Sequence, residues 1–234
     1  MQLYKSFLNF LVFTCFLSLI PFGVSAQYDT TSASKEDTRI VNFIEFSVDA
    51  LNPVYDFGDQ LDKNLVGFSI NYLRQRKKTR LDYFGVSLSY AHIGSLTASF
   101  IDFEDRTSTE MLNMKFLYRY FPSFYFWRIE PFIELGFGPQ LIYTLTTTTS
   151  FLDDASSLNF ENSDFGLAYH AGIGMTAYLV GQVFLHVKFN LNGATSMTYY
   201  VPQEYIAGLP IENFNPETSS INYLAWQFGL TVSF

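Results

Sequence analysis

The chain has 234 residues, of which 19% are aromatic and only 15% charged, and its formal net charge is -8. A disordered chain would be rich in charge and poor in aromatic residues, and a nucleic-acid-binding domain would be basic, so both classes are set aside. The length suits one all-β domain or two small ones.

The first segment, "MQLYKSFLNFLVFTCFLSLIPFGVSAQ", places Lys5 before an apolar run from Phe7 to Ile20, then Pro21, Gly23 and the small residues Val24-Ser25-Ala26. That is the order of a secretory signal peptide with cleavage after Ala26, so 1–26 are expected to be removed. The one cysteine, Cys15, lies inside the apolar run and is preceded by Phe13 and Thr14, not by the small residues a lipid anchor needs. The mature chain then has no disulfide and no thiolate chemistry. Residues 27–39, "QYDTTSASKEDTR", read as a flexible polar lead-in. Residues 40–234 read as one domain.

From Ile40 onward the chain alternates apolar and polar residues with period two, the mark of strands with two unlike faces. Ile44, Phe46 and Val48 oppose Glu45, Ser47 and Asp49. Val66 to Tyr72, Phe84 to Tyr90 and Leu112 to Tyr120 repeat the pattern, the last against Asn113, Lys115 and Arg119. Ile133, Leu135 and Phe137 oppose Glu130 and Glu134; Phe165 to Met175 oppose His170; Val183 to Leu191 oppose His186 and Lys188. An eighth strand closes the chain over 220–234. Residues 51–64, 92–108, 144–163 and 194–218 read as long loops, and 75–80, 121–128 and 179–182 as short turns. Long connections at one end and short ones at the other predict an all-β, eight-stranded antiparallel up-and-down transmembrane β-barrel.

A soluble barrel would bury the apolar face, as a lipocalin-like carrier of a small lipid does; a membrane barrel turns that face to lipid. Export, strands of about ten residues and aromatic strand ends favour the membrane. The ends are marked by Tyr72, Tyr83, Tyr118, Tyr120 and "FYFW" (124–127) on the short-turn side, and by Tyr90, Tyr143, Tyr169 and Tyr223 on the other.

The closing "QFGLTVSF", with Gln227, Gly229, Val232 and Phe234 at fixed spacing, resembles the C-terminal signal of Gram-negative outer-membrane barrels. "FIELGFGPQLIY" (132–143) is similar to their Gly-rich central strands, and the mature chain resembles the broad family of eight-stranded outer-membrane β-barrel domains. The resemblance implies an outer-membrane location and handling by the barrel assembly machinery. It implies no activity.

Eight strands leave a lumen that side chains just fill. The expected inward polar cluster is Glu45, Lys115, Arg119, Glu130, Glu134, His170, His186 and Lys188, read as a salt-bridged plug, with a proton or ion path as the sharper alternative. Enzymes of this architecture need a nucleophile beside a base. His92, His170 and His186 are the only histidines, and each has Gly94, Gly172 or Lys188 two residues on, where a serine is wanted. No catalysis, cofactor or metal site is expected.

The expected outer loops hold Asp56, Asp59, Asp62, Asp102, Glu104, Asp105, Asp153, Asp154, Glu161, Glu204, Glu212 and Glu217 against only Lys63 and Arg106. The turn "RQRKKTR", with Arg74, Arg76, Lys77, Lys78 and Arg80, makes the periplasmic end basic. Acidic loops suit divalent cations that bridge lipopolysaccharide, and the basic turn suits anionic lipid or a periplasmic protein. The expected role is a non-enzymatic surface-interaction or envelope-structural barrel, contacting outer-membrane lipid, lipopolysaccharide and a periplasmic or extracellular protein. A narrow transport or secretion-accessory barrel is the alternative, and an envelope-lipid-modifying enzyme the third.

Overall fold

Alternation with β-branched and aromatic residues on one face drives each of the eight strands. The computed structural model describes residues 41–61, 63–76, 81–122, 129–152, 156–203 and 208–234. Its strands are β1 (Asn42–Pro53), β2 (Leu65–Gln75), β3 (Asp82–Ser99), β4 (Phe103–Tyr120), β5 (Ile129–Ser150), β6 (Ser156–Val180), β7 (Val183–Pro202) and β8 (Phe214–Ser233). A short helix, α1 (Tyr55–Leu61), follows β1, and a 3-10 turn (Pro210–Asn213) precedes β8. The expected signal peptide, the lead-in, the "FYFW" stretch, the basic residues Lys77, Lys78 and Arg80, and the acidic residues Asp62, Asp153, Asp154 and Glu204 lie outside the described residues.

Every strand pairs antiparallel with its chain neighbour, and β1 pairs with β8 to close the ring. Where the ring is complete, closure satisfies the backbone without a free edge, as a lipid surrounding demands. The final contact is reciprocal: the Asn42 amide donates to the Phe234 carbonyl and the Phe234 amide to the Asn42 carbonyl, each at 3.0 Å. At the β6–β7 hairpin Gly181 takes φ +59°, a left-handed conformation that glycine adopts without a side-chain clash.

The apolar face points outward. Val48 is 61% exposed and Phe137 60%, while their neighbours Asp49 and Gly136 point inward and are buried. An apolar wall around the whole ring would be insupportable in water and is stable in lipid, so the wall is transmembrane.

Three of the four expected long loops are mostly strand. Residues 92–99, 103–108, 144–150, 156–163, 194–202 and 214–218 extend the hairpins well past the apolar belt. The inward face of these extensions is buried but mixes threonine and aspartate with apolar residues such as Ile93, Met197 and Tyr199, so their sequence carries no clean alternation. The stretch "TLTTTTS" (144–150) is held by β propensity, by strand pairing and by the hydroxyl hydrogen bonds Thr144–Thr109 and Thr146–Thr107, each at 2.9 Å. The fourth, 51–64, holds α1. The acidic residues therefore sit mainly on ordered elements: Asp56 and Asp59 on α1, Glu104 on β4, Glu161 on β6 and Glu217 on β8. Asp105 is a correction, because it faces into the barrel and is buried.

The extended wall is incomplete at one place. β6 and β7 pair from Val180↔Val183 as far as Ala168↔Ala194. Beyond that, β6 continues only along β5, to Ser156↔Thr149, and β7 only along β8, to Pro202↔Phe214.

Candidate functional site

The lumen is filled in layers. At the end holding Asn42 and Phe234, Leu73, Tyr83, Leu117, Phe121 and Phe132 form an apolar plug. Tyr83 is a second correction: it belongs to this plug, stacked on Phe43 at 4.9 Å between ring centres, and not to an outer aromatic belt. Tyr223 likewise points inward, while Tyr72, Tyr90, Tyr120, Tyr143 and Tyr169 lie on the outward face.

Above the plug lies the charged layer. Register sets Arg119 of β4 directly opposite Glu134 of β5. The Arg119 Nε donates to Glu134 Oε2 at 2.7 Å, and its Nη2 donates to Glu45 Oε2 at 2.8 Å. Lys188 Nζ stands 3.4 Å from both Glu45 Oε2 and Glu134 Oε1. Two carboxylates and two cations thus neutralise one another where burial removes the screening of bulk water. Charges buried this way are costly singly and tolerable only as a set. Phe132 ties the layer to the plug, its ring 4.1 Å from the Arg119 guanidinium carbon.

The histidines take distinct positions. His186 is held between the hydroxyls of Ser47 and Thr231, each at 2.8 Å, and Thr231 donates onward to Glu45 at 3.2 Å. His170 Nε2 stands 3.4 Å from Glu134 Oε1. Lys115 is also buried but outside the ion pairs, donating to Asn192 Oδ1 at 2.9 Å. It lines a small chamber of about 30 Å³ with Asp49, Asn113, Asn190 and Gln227, a space that matches one or two waters. Glu130 does not join these residues. It shares the inward parity of β5 but sits exposed near the strand end, beyond Phe132. Among the described residues, no three His, Cys, Asp or Glu side chains come together in a way that could hold a metal.

The mouth at the far end, opposite Asn42 and Phe234, is capped. Helix α1 turns its Phe57 and Leu61 into the barrel, onto Met197, Tyr199 and Ile221. Phe57 meets Tyr199 edge-on at 5.3 Å, and the Tyr199 phenol donates to Gln60. Burial pushes that phenol above its ordinary pKa. This cap was not read from the sequence. The spacing of Phe57 and Leu61, four apart on a short helix, was the available signal.

A second unread feature lies on the outward wall near the far end. His92 Nδ1 lies 3.0 Å from Glu110 Oε1, and the Tyr90 hydroxyl donates to the same carboxylate. The pair joins residues on adjacent strands, with His92 opposite Glu110, and strand register brings them together.

The closing-strand residues divide by face. Gln227 points inward, accepting from Asn190 at 2.8 Å and donating to Ser69 at 3.2 Å. A Cβ on Gly229 would fall 1.9 Å from the Phe46 carbonyl oxygen, so the strand can approach β1 only as glycine. Val232 and Phe234 face outward. Of the basic turn, Arg74 is exposed and Arg76 lies 3.6 Å from Asp82 and over the Phe84 ring.

No family model matches the chain, and no curated protein matches it in sequence. Among solved structures it is similar to Ail, the attachment invasion locus protein of Yersinia pestis, in complex with the heparin analogue sucrose octasulfate. Identity there is 15%, coverage 83% of this chain and 99% of that one, and the TM-score 0.40. It is similar to Neisserial surface protein A at 13% identity, with 82% and 95% covered and a TM-score of 0.39. For a major outer membrane protein from Thermus thermophilus the values are 11%, 82%, 99% and 0.43. The closed ring of eight antiparallel strands, each paired with its chain neighbour, is the architecture of eight-stranded outer-membrane β-barrels.

Proposed function

We propose that this protein is a non-conducting outer-membrane barrel that works through its far end, as a surface-interaction or envelope-structural protein. The observation that carries the reading is the filled lumen: an apolar plug, an interlocked charged layer and an apolar cap follow one another along the axis. Among the described residues, such a bore has no continuous polar path for a solute. Material that does not line a pore is instead invested in hairpins rising beyond the lipid belt, where the exposed acids Asp56, Asp59, Asp102, Glu161 and Glu212 outnumber Lys63 and Arg106. In this reading the far end is extracellular and the Asn42 end periplasmic. Outer-membrane lipid and lipopolysaccharide are the lateral neighbours, the Gln227–Phe234 strand is read by the assembly machinery, and the Arg74–Arg76 end faces anionic lipid or a periplasmic protein.

The test is reconstitution in a planar lipid bilayer. The expected result is a folded, heat-modifiable protein with no channel events at any moderate voltage. Steady conductance from the intact chain would overturn the reading in favour of a narrow transport barrel.

A further inference from the structure

The parting of β6 from β7 leaves a strand edge with no partner strand among the described residues. From Asn162 to Leu167 the gap is bridged by side chains: Asn162 Nδ2 reaches the Thr198 carbonyl at 3.4 Å, the Thr198 amide donates to Asp164 Oδ2 at 2.6 Å, and the Leu167 amide donates to Thr195 Oγ1 at 3.1 Å. These substitutes stop at Asn162. From Ser156 to Phe160 the strand keeps its pairing with β5 on one side, Glu161 bulges between Phe160↔Leu145 and Asn162↔Thr144, and every residue from Ser156 to Glu161 is exposed. Leu158 and Phe160 project from it at 55% and 72% exposure.

Natural sheets protect such an edge with charged side chains, lysine above all, with proline, a bulge or a covering loop. The paired stretch Ser156–Phe160 has no charge and no proline, and the one charge beside it, Glu161, sits at the bulge that ends it. Backbone donors and acceptors spaced along a strand are matched by another extended chain, and alternate side chains then choose which one. Two copies of this protein would bring two acidic ends together, so self-pairing is opposed by charge.

We infer that the edge Ser156–Glu161 of β6 is a docking site for an extended segment of another protein, added as a strand, in which lysine or arginine alternates with apolar residues. The apolar residues lie along Leu158 and Phe160, and the basic ones face Glu161 and the surrounding acidic rim. This inference rests on the reading of the far end as the working surface and names the class of partner it takes.

The experiment is amide hydrogen exchange on the full mature chain refolded in detergent micelles, with a short peptide of alternating Lys and Val as the probe. Exchange at 156–161 should slow by about tenfold or more on saturation, as for amides that enter a sheet. A Glu-Val peptide, and a Lys-Val peptide interrupted by proline, should give no protection. The double variant Leu158→Lys, Phe160→Lys should lose the effect while keeping its heat-modifiable mobility. Equal protection by the proline-interrupted peptide would show attraction by charge alone and overturn the inference. So would protection confined to other segments, or protection of 156–161 that appears without peptide as protein concentration rises. The two readings fail separately: channel conductance counts against the closed barrel and says nothing about this edge, while a silent barrel with no protection at 156–161 counts against the edge alone.

Discussion

The middle of the lumen and its outer mouth close the same barrel by opposite means. In the middle, Arg119, Lys188, Glu45 and Glu134 hold one another, and each has lost its water to do so. At the mouth, α1 lays Phe57 and Leu61 on apolar neighbours and adds one polar tie, Tyr199 to Gln60. An ionic layer depends on every member, because removing one strands the charge of another. An apolar cap loses the contacts that are removed and keeps the cavity they leave, but strands no charge. The middle is therefore brittle and the mouth forgiving.

The hardest way to break that contrast is Arg119→Leu. It leaves Glu45 and Glu134 with Lys188 alone, and a loss of about 3–5 kcal/mol is expected in the urea unfolding of the refolded barrel. A loss under about 1 kcal/mol would mean that the layer is not interlocked. Next is Gly229→Ala, where the new methyl meets the Phe46 carbonyl. Forcing β8 from β1 should cost on the order of 1–3 kcal/mol. The cost should appear in refolding into lipid without any assembly machinery; a defect seen only in cells would move the role of Gly229 from packing to recognition.

Phe57→Ala probes the mouth. Exchange in 55–61 should quicken, with a local cost on the order of 1–2 kcal/mol and an almost unchanged global midpoint. Bilayers should stay silent, because the charged layer and the lower plug remain. If the cap and the layer were one cooperative unit, the global midpoint would fall instead. The smallest effect is expected for Glu130→Gln, within about 0.5 kcal/mol, since that carboxylate is exposed beside the plug. A larger loss would return Glu130 to the buried set.

Much of the fold was legible because period two survives wherever one face meets lipid and the other the lumen. Phe46, Phe68 and Leu135 against Glu45, Ser69 and Glu134 needed no structure to assign. The site was legible in part: parity put Glu45, Lys115, Arg119, Glu130, Glu134, His170, His186 and Lys188 on one face, and all but Glu130 are buried there. It could not say that Lys115 stands apart while Arg119 takes two carboxylates, because those distances depend on how the ring closes. The hairpin extensions were hidden because their buried face mixes threonine and aspartate with apolar residues, which blurs the alternation that marks a strand.

The sequence by itself determined the strand segments inside the lipid belt, their two faces and most of the inward polar set, since each is a local consequence of side chains alternating along an extended chain. Only the tertiary structure decided that Tyr83 and Phe132 plug one end, that α1 caps the other, that His92 meets Glu110 and that β6 parts from β7. Each of those depends on the register between paired strands or on the closure of the ring, which no local period encodes.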